Sequence, residues 1–363
     1  MNTIPFLHPA AQFHALREEI LAATTSVLAG GRYILGPEVQ ALETEIAAQC
    51  RAGFGVGVNS GSDALTLALH ALGVGPGDEV ITSPFTYIAP AESIHQLGAK
   101  IVFADIDPRY FTLDAADVGR RVTSRTKAIL PVHLFGQAAP MEELLKLGLP
   151  VVEDAAQAIG ARRHGLPVGG IGKMGCLSFY PTKNLGACGD GGMVITSDEA
   201  LERVLRRSRV HGISQRYHHE SHGFNTRLDE LQAAILRVKL RYLEGWNVRR
   251  RELAARYNAG LTELPVELPL TAPGNEHVFH VYAIQNDQRD ALQAHLAERG
   301  IPTIIYYPVP LHRQRCYADQ GWRQGDFPAT ERVSERILPL PMYPELTNEQ
   351  VDRVIEEIRA FFE

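Results

Sequence analysis

The chain has 363 residues, of which 45% are hydrophobic and 21% charged, and its formal net charge is −6. This length predicts two domains, each able to bury a core, and the negative charge argues against a nucleic-acid partner. No apolar stretch approaches the ~20 residues needed to cross a bilayer, and the first residues lack the basic start and apolar run of a signal peptide. The four cysteines form no Cys-x-x-Cys pair, which fits reduced thiols better than disulfides or a zinc site. We therefore expect a cytoplasmic protein without a membrane partner.

Strand and helix patterns alternate through the first 153 residues. Apolar periodicity predicts helices over residues 11–28, 38–49, 64–72, 88–98, 114–119 and 140–147. Short apolar runs predict strands over residues 54–58, 79–83, 100–105, 127–132 and 150–153. Such alternation predicts an α/β fold with a mainly parallel sheet covered by helices, whose ligands gather at the carboxyl ends of the strands.

The turn Asn59–Asp63 links the first of these strands to a helix. A strand, a turn of small residues and a helix start present free backbone N–H groups to an anion such as phosphate. Gly61 would allow close approach, and the Ser62 hydroxyl would add a donor. The same residues also suit an ordinary helix N-cap, so both interpretations stay open.

A carboxylate and a lysine follow at strand ends further along the chain. The strand over 150–153 ends in Asp154, three residues before Gln157, and Lys183 lies in the glycine-rich turn between two short strands of 175–195. A desolvated lysine has a lowered pKa and can form a Schiff base with an aldehyde, although a solvated loop lysine is commoner. Pyridoxal phosphate requires such a lysine and a carboxylate that keeps its ring nitrogen protonated. Asp154 could instead be a helix cap.

The C-terminal half begins with a basic helix over 198–209, whose arginines we expect to be mostly solvated. The histidine-rich segment 214–222 is expected to be a loop, without metal-ligand spacing. A long helical region over 227–261 should bend near Gly245 and join the domains. The remainder predicts a small α/β domain, with strands at 278–285 and 302–306 and helices at 288–299 and 348–362. We thus predict a large cofactor-binding domain over 1–245 and a small domain over 246–363.

Three motifs carry a resemblance to a known family. They are Glu-Asp-Ala-Ala-Gln (153–157), Ser-Phe-Tyr-Pro-Thr-Lys-Asn-Leu-Gly (178–186) and Gly-Phe-Asn-Thr-Arg-Leu-Asp-Glu-Leu-Gln-Ala-Ala (223–234). They resemble the sugar-nucleotide aminotransferases of the DegT/StrS family, which are pyridoxal-phosphate enzymes of fold type I. The resemblance runs from Pro5 to Pro344, with its motifs in order.

The resemblance implies a role for each matching residue. Lys183 would be the catalytic lysine. The cofactor would also be contacted by Gly61, Ser62, Tyr87, Asp154, Gln157, Ser178 and Asn225. Asn225 would reach the phosphate of the neighbouring subunit in a homodimer with a shared active site. The substrate would be contacted by Tyr180, Tyr217, His218, Tyr306 and Tyr307, although Tyr306 stands where relatives have His.

The implied reaction moves an amino group from glutamate to a nucleotide-linked keto-hexose. Residues 132–137, 178–181 and 216–219 look more like relatives that aminate C3 of a dTDP- or UDP-linked 3-keto sugar than like those that aminate C4. A pyridoxal-dependent sugar dehydratase on this fold would have His in place of Lys183. A non-catalytic regulator would not need that lysine together with Asp154, Gln157 and Ser178.

Overall fold

The structure, a computed structural model, describes residues 3–363. Its strands, in chain order, are Phe54–Val58 (β1), Glu79–Thr82 (β2), Lys100–Phe103 (β3), Thr126–Leu130 (β4), Val152–Asp154 (β5), Arg162–Arg163 (β6), Leu166–Pro167 (β7), Met174–Ser178 (β8), Gly192–Thr196 (β9), Ile213–Gln215 (β10), His218–His219 (β11), Asn275–Glu276 (β12), Tyr282–Gln285 (β13) and Ile337–Leu340 (β14). Its α-helices are Pro9–Ala15 (α1), Arg17–Gly30 (α2), Pro37–Gln49 (α3), Gly61–Ala71 (α4), Ala89–Gln96 (α5), Ala115–Arg121 (α6), Met141–Leu145 (α7), Glu199–Ser208 (α8), Glu230–Leu240 (α9), Leu243–Leu261 (α10), Arg289–Glu298 (α11), Pro328–Arg336 (α12) and Asn348–Phe362 (α13). Short 3-10 turns span Leu134–Gly136, Leu311–Arg313 and Arg315–Gln320.

A seven-stranded sheet forms the centre of the molecule, in the order β3-β2-β4-β5-β8-β9-β1. Two hydrogen-bonded sheets make it up, and parallel bridges from Ile129 to Val151 and from Val132 to Asp154 join them. Only β9 runs against the others. The predicted α/β fold with a mainly parallel sheet is therefore confirmed.

Both faces of this sheet are buried, which explains why its strands are continuous apolar runs. Because successive side chains alternate between faces, Val194 of β9 packs into the core beside α4 and α5, while Met193 and Ile195 pack into the core beside α3 and α9. Because all strands of this sheet except β9 run in the same direction, their carboxyl ends lie at the same edge of the sheet.

The C-terminal part has its own core around the antiparallel pair β13-β14. Helices α10, α11 and α13 cover this pair, and Leu253, Tyr282 and Val354 are fully buried between them. Residues 311–327 then return to the central sheet, where the Trp322 ring lies 4.5 Å from that of Phe103. The predicted domain division after residue 245 stays a prediction.

Two of the predicted C-terminal strands are corrected. Residues 302–306 form no regular strand, and the strand expected at 278–285 begins only at Tyr282. The backbone N–H groups of Val278 and Val281 donate instead to the 3-10 turn at Leu134–Gly136, so 278–281 is bound to that turn and not to a sheet. Helix α12 and strand β14 were not predicted.

Three further expectations need correction. The long helical region breaks at residues 241–242, between α9 and α10, and not at Gly245. Residues 213–219 form the short β10-β11 hairpin and not a loop. The arginines of α8 and its C-cap are not mostly solvated, because Arg206 and the buried Arg209 both donate to the buried carboxylate of Glu43. A buried carboxylate needs such partners.

No helix among residues 3–363 is both long and apolar enough to pass through a bilayer. The same residues contain no group of three or more His, Cys, Asp or Glu side chains that could hold a metal ion. All four cysteines are free thiols, and two of them, Cys50 and Cys176, are buried.

Candidate active site

A cavity of about 540 Å³ opens at the carboxyl-end edge of the central sheet. Ten of the thirteen predicted site residues line it: Gly61, Ser62, Tyr87, Asp154, Gln157, Ser178, Tyr180, Lys183, Tyr306 and Tyr307. Val281, Leu340 and Met342 line the same cavity from the C-terminal part. The predicted residues thus come together, although they are up to 246 positions apart in the chain (307 − 61).

Lys183 lies in the turn between β8 and β9. Its backbone N–H donates to the carbonyl of Tyr180 at 2.9 Å. The turn is tight at Gly186, where a Cβ would lie 2.5 Å from the Pro181 carbonyl oxygen. Burial lowers the pKa of the Lys183 amine to about 8, although the nearby Asp154 carboxylate favours the charged form. A useful fraction of this amine is therefore uncharged near neutral pH.

Asp154 ends β5 and is 5% exposed. Its Oδ1 accepts a hydrogen bond from the backbone N–H of Ala156 at 3.0 Å. Burial raises the pKa of this carboxyl, while the Ala156 N–H, Lys183 and His133 oppose that rise. A cation held against Asp154 would favour the carboxylate further, since an opposite charge stabilises the ionised form.

A buried pair that the sequence analysis did not single out fixes the strand end behind Asp154. Both oxygens of Glu153 accept backbone N–H groups from the segment 169–172, at 2.7–2.8 Å. Nδ1 of His133 accepts the N–H of Ala139, so its Nε2–H donates to Glu153 at 2.8 Å. These bonds satisfy both groups, which makes the pair structural.

The amino end of α4 forms a seat for an anion. Ser60 caps the helix by accepting the Asp63 N–H at 3.0 Å. The N–H groups of Gly61 and Ser62 begin the helix and have no partner within it. A Cβ on Gly61 would lie 2.6 Å from the Cβ of Ser178, so only glycine permits this approach. Both sequence interpretations hold together: the segment is an N-cap, and it leaves N–H groups for a phosphate.

Gln157 and two tyrosines form another wall of the cavity. Gln157 Oε1 accepts the Phe135 N–H at 2.8 Å, and its Nε2 donates to the Tyr307 hydroxyl at 3.2 Å. The Tyr87 ring lies 6.5 Å from the Tyr307 ring at an angle of 42° and is largely exposed. Aromatic faces of this kind suit a planar ring.

The remaining three predicted residues do not line the cavity within one chain. Asn225 is exposed, and its backbone pairs with Val210. Tyr217 lies in the turn between β10 and β11 and is 80% exposed, and His218 begins β11. Their contact with a ligand stays a prediction.

The structure adds two titratable cavity residues that sequence reasoning missed, His280 and Asp190. His280 lines the cavity, and its Nδ1 lies 3.1 Å from Oδ1 of Asn184, the residue next to Lys183. The available signal was a histidine inside the apolar run 278–284. The apolar pattern around it predicts only a strand.

An amine that can lose its proton near neutral pH, facing a buried carboxyl group at the edge of a mainly parallel sheet, defines an enzyme of the pyridoxal-phosphate class. The chain belongs to the DegT/DnrJ/EryC1/StrS aminotransferase family, whose model matches residues 14–359. The predicted family and enzyme class are therefore confirmed.

Two curated relatives match over almost the whole chain. One is a pleiotropic regulatory protein of Geobacillus stearothermophilus, 49% identical over 99% of this chain and 98% of its own. The other is the UDP-N-acetyl-3-dehydro-alpha-D-glucosamine 3-aminotransferase of Acidithiobacillus ferrooxidans, 48% identical over 99% of this chain and 98% of its own.

Two solved structures are similar throughout. DesV of S. venezuelae, in complex with a ketimine intermediate, has a TM-score of 0.98 and 46% identity, covering 100% of this chain and 99% of its own. NtdA of Bacillus subtilis, with bound cofactor PMP, has a TM-score of 0.93 and 32% identity, covering 100% of this chain and 86% of its own.

The site residues fit pyridoxal phosphate, the cofactor of this family. The Lys183 amine suits an aldehyde, the Asp154 carboxyl suits a protonated ring nitrogen, and the N–H groups at Gly61 and Ser62 suit a phosphate. The predicted cofactor is confirmed.

Proposed function

We propose that this chain moves an amino group from glutamate to C3 of a nucleotide-linked 3-keto hexose, with Lys183 as its catalytic lysine. The observation that carries the proposal is the Lys183 amine, whose pKa is lowered to about 8 in a cavity that also contains Asp154 and the anion seat. The Acidithiobacillus relative, named for amination at position 3 of a UDP-linked sugar, supports the choice of carbon.

Each residue has a defined task in this proposal. When bound, pyridoxal phosphate supplies an electron sink for the carbon that loses or gains nitrogen. Asp154 would hold the proton on the ring nitrogen, while Ser178 and the N–H groups of Gly61 and Ser62 would bind the phosphate. Lys183 would hold the cofactor through its aldehyde group and, when its amine is free, would move a proton as general base and acid. Tyr87 and Gln157, which line the same cavity, would contact the cofactor's ring.

The alternatives are less well supported. A sugar dehydratase of this fold would have His in place of Lys183. The name of the Geobacillus relative favours a regulator, but a pure binder does not need a lysine amine that titrates near neutral pH. Amination at C4 stays the alternative regiochemistry.

We infer a homodimer whose site is shared, as the resemblance predicts. Asn225, Tyr217 and the Tyr33–Ile34 pair are exposed in one chain, and Ile34 pairs with Asp229, four residues after Asn225. A second copy would cover this surface and receive Asn225 and Tyr217 at its own cavity. A cytoplasmic location without nucleic-acid or membrane partners is part of the same proposal.

A panel of keto-sugar nucleotides tests the substrate. We expect multiple turnovers with glutamate and a dTDP- or UDP-linked 3-keto hexose, and strong rejection of the 4-keto isomer, since a site that hydrogen-bonds hydroxyl groups can discriminate by up to ~10⁴-fold. Efficient amination of the 4-keto isomer alone would overturn the C3 assignment. If the protein loaded with cofactor transferred no amino group to any of these sugars, the proposal of an enzyme would be wrong and a regulatory role would be favoured.

Mixing two inactive variants tests the shared site. In a dimer that exchanges subunits, Lys183→Ala and Asn225→Ala protomers form hybrids with one intact site, so an equal mixture should recover roughly a quarter of wild-type activity. Subunit exchange should be verified by mass spectrometry of differently tagged protomers. No recovery despite verified exchange would mean that each chain completes its own site.

A further inference from the structure

One residue of the motif 223–234 bonds to the turn before α4, and the proposed function gives it no task. Thr226 is 3% exposed. Its hydroxyl oxygen accepts a hydrogen bond from the backbone N–H of Asn59 at 3.1 Å and donates one to Oδ2 of Asp63 at 2.8 Å. One hydroxyl group thus bonds to both ends of the turn Asn59–Asp63, which lie 167 and 163 positions earlier in the chain.

The anion seat lies between these two bonds. Ser60, Gly61 and Ser62 line the cavity, whereas Thr226 lies outside it. At the far end of the turn Asp63 is held twice, because its backbone N–H donates to Ser60 Oγ at 3.0 Å while its side chain accepts from Thr226. The directions in which the N–H groups of the seat point therefore depend on a hydroxyl group outside the cavity.

Thr226 is itself fixed by a buried arginine that also bonds to β1. Its backbone N–H donates to the carbonyl of Arg209 at 3.0 Å. The Arg209 guanidinium donates to the carbonyl of Gly57 at 2.9 Å and to the carboxylate of Glu43. Thr226 and the end of β1 are consequently held by the same side chain, so the hydroxyl has a fixed position from which to hold the turn that follows β1.

We propose that Thr226 is a positioning residue for the cofactor's phosphate: its hydroxyl holds the turn before α4 so that the N–H groups of the anion seat converge on the phosphate. The inference rests on the proposed function, in which that seat binds the phosphate. The bond to Asp63 has a carboxylate as its acceptor, and hydrogen bonds to charged groups are the stronger ones. Loss of the hydroxyl would also leave the Asn59 N–H without its partner, so the turn would have to change.

Substitutions at residue 226 isolate the hydroxyl. Thr226→Val keeps the shape of the side chain but removes both hydrogen bonds, whereas Thr226→Ser keeps the hydroxyl and removes the methyl group. Thr226→Ala removes the hydroxyl without adding a methyl group in its place, so it gives a second test if the valine variant does not fold. Thr330→Val is the matched control, because the fully buried Thr330 donates its hydroxyl to Asp105 at 2.8 Å, outside the cavity.

The measurement is the Kd of the full-length, cofactor-free protein for pyridoxal phosphate and for pyridoxal, which lacks the phosphate. A residue that positions the seat acts on the phosphate alone, so the two ligands separate this role from a general loss of structure. We expect Thr226→Val and Thr226→Ala to raise the Kd for pyridoxal phosphate ~10-fold and that for pyridoxal less than ~2-fold. Thr226→Ser and Thr330→Val should keep both Kd values within ~2-fold of those of the wild type, although the control also loses a buried hydrogen bond.

An unchanged Kd for pyridoxal phosphate in the variants that lack the hydroxyl would overturn the inference. Equal increases for the two ligands, or the same increase in Thr330→Val, would also overturn it, because they indicate a general effect of lower stability. A serine variant that binds as weakly as the valine variant would show that the hydroxyl is not the group that matters. Failure of the proposed function has a different signature and removes the inference with it: wild-type protein would bind pyridoxal phosphate no more tightly than pyridoxal.

Discussion

The two halves of the cavity are held in different ways. On the half that we propose holds the cofactor, called the cofactor half, Asp154 and Ser178 end strands of the central sheet and Gly61 begins α4. On the opposite half, Tyr306 and Tyr307 lie in residues 301–310, which have no regular structure before the 3-10 turn at Leu311. The first half is fixed by backbone hydrogen bonds, and the second consists of aromatic side chains on an irregular segment.

This difference matches the demands on each half. The cofactor is invariant, and its reacting atoms need groups held within a fraction of an ångström, which strand ends provide. A substrate side on loops can change without disturbing the scaffold. Substitutions on the cofactor half should therefore affect both half-reactions and cofactor binding, whereas those on the aromatic half should affect the sugar alone.

The largest effect is expected from Lys183→Ala. Loss of the amine removes the covalent link and the proton carrier, and acid–base catalysis alone is worth ~10²–10⁴-fold. The cofactor absorbance of the purified protein and both half-reactions should be lost together. Borohydride reduction of the wild type should attach the cofactor irreversibly to residue 183, which peptide mass spectrometry would detect.

Lys173→Ala is the control for that prediction. Lys173 is half-exposed on the same segment of the chain and forms an ion pair with Asp198 at 2.6 Å, outside the cavity. This variant should retain its colour and its turnover. Normal turnover in the residue-183 variant would show that another group carries the cofactor.

Gly61→Ala should have the next largest effect. The added Cβ would lie 2.6 Å from the Ser178 Cβ, so α4 and β8 must separate and the anion seat must widen. We expect the Kd for pyridoxal phosphate to rise by ~10–100-fold, equivalent to about 1.4–2.7 kcal/mol, measured by titration of the cofactor-free protein. Gly75→Ala is the control, because its added Cβ has no heavy atom within 4 Å. This variant should bind pyridoxal phosphate with the Kd of the wild type. Equal Kd values would contradict the phosphate seat.

The same contrast explains what could be predicted from the sequence. Asp154 and Ser178 could be predicted as site residues because they end apolar strands, which produce a strong local pattern. Lys183 could be predicted because it lies in the glycine-rich turn that follows one of these strands. The same pattern gave a wrong prediction for residues 278–281. Their apolar side chains are typical of a strand, but the N–H groups of Val278 and Val281 donate to the 3-10 turn at 134–136.

Contacts between segments that are far apart in the chain could not be predicted from local sequence patterns. The pairing of Glu43 with Arg209 and of Asn184 with His280 joins residues 166 and 96 positions apart. The arginine looked like part of a solvated helix, because nothing in its neighbourhood indicates a buried carboxylate 166 residues earlier. The proposed contact of Asn225 with a second chain likewise comes from the family resemblance, because local patterns carry no information about it.

Lys183→Met tests, through the stability of the fold, how strongly the cofactor half desolvates the lysine amine. The Lys183 pKa is about 8 in the fold against its ordinary 10.5, so between these pH values the unfolded chain binds more protons and stability rises with pH. Below pH 8 the destabilisation is fully present. The cofactor-free variant should therefore be more stable than the wild type at pH 7, on the order of 1–3 kcal/mol, in urea unfolding.

The advantage of Lys183→Met should shrink as the pH rises from 8 and vanish near 10.5. Lys173→Met, which removes an exposed ion pair worth at most about 1 kcal/mol, should show no such gain. A methionine variant that is less stable at pH 7 would mean that the amine is well solvated in the cavity.

The smallest effect is expected from Tyr180→Phe, which removes a predicted sugar contact that lies beside the cofactor half of the cavity. Tyr180 lines the cavity three residues before Lys183, and its side chain is half-exposed. Its backbone N–H donates to Ser178 Oγ at 3.3 Å, and its backbone carbonyl accepts the Lys183 N–H at 2.9 Å. No hydrogen bond joins its hydroxyl to another of residues 3–363, so this group can bind the sugar. Its loss should cost about 0.5–1.5 kcal/mol, or ~2–10-fold in kcat/KM for the sugar half-reaction, measured by single-turnover absorbance. The glutamate half-reaction should be almost unchanged, because the cofactor half keeps all its contacts. Equal losses in both half-reactions would mean that Tyr180 acts on the cofactor and that the two halves of the cavity are not separable.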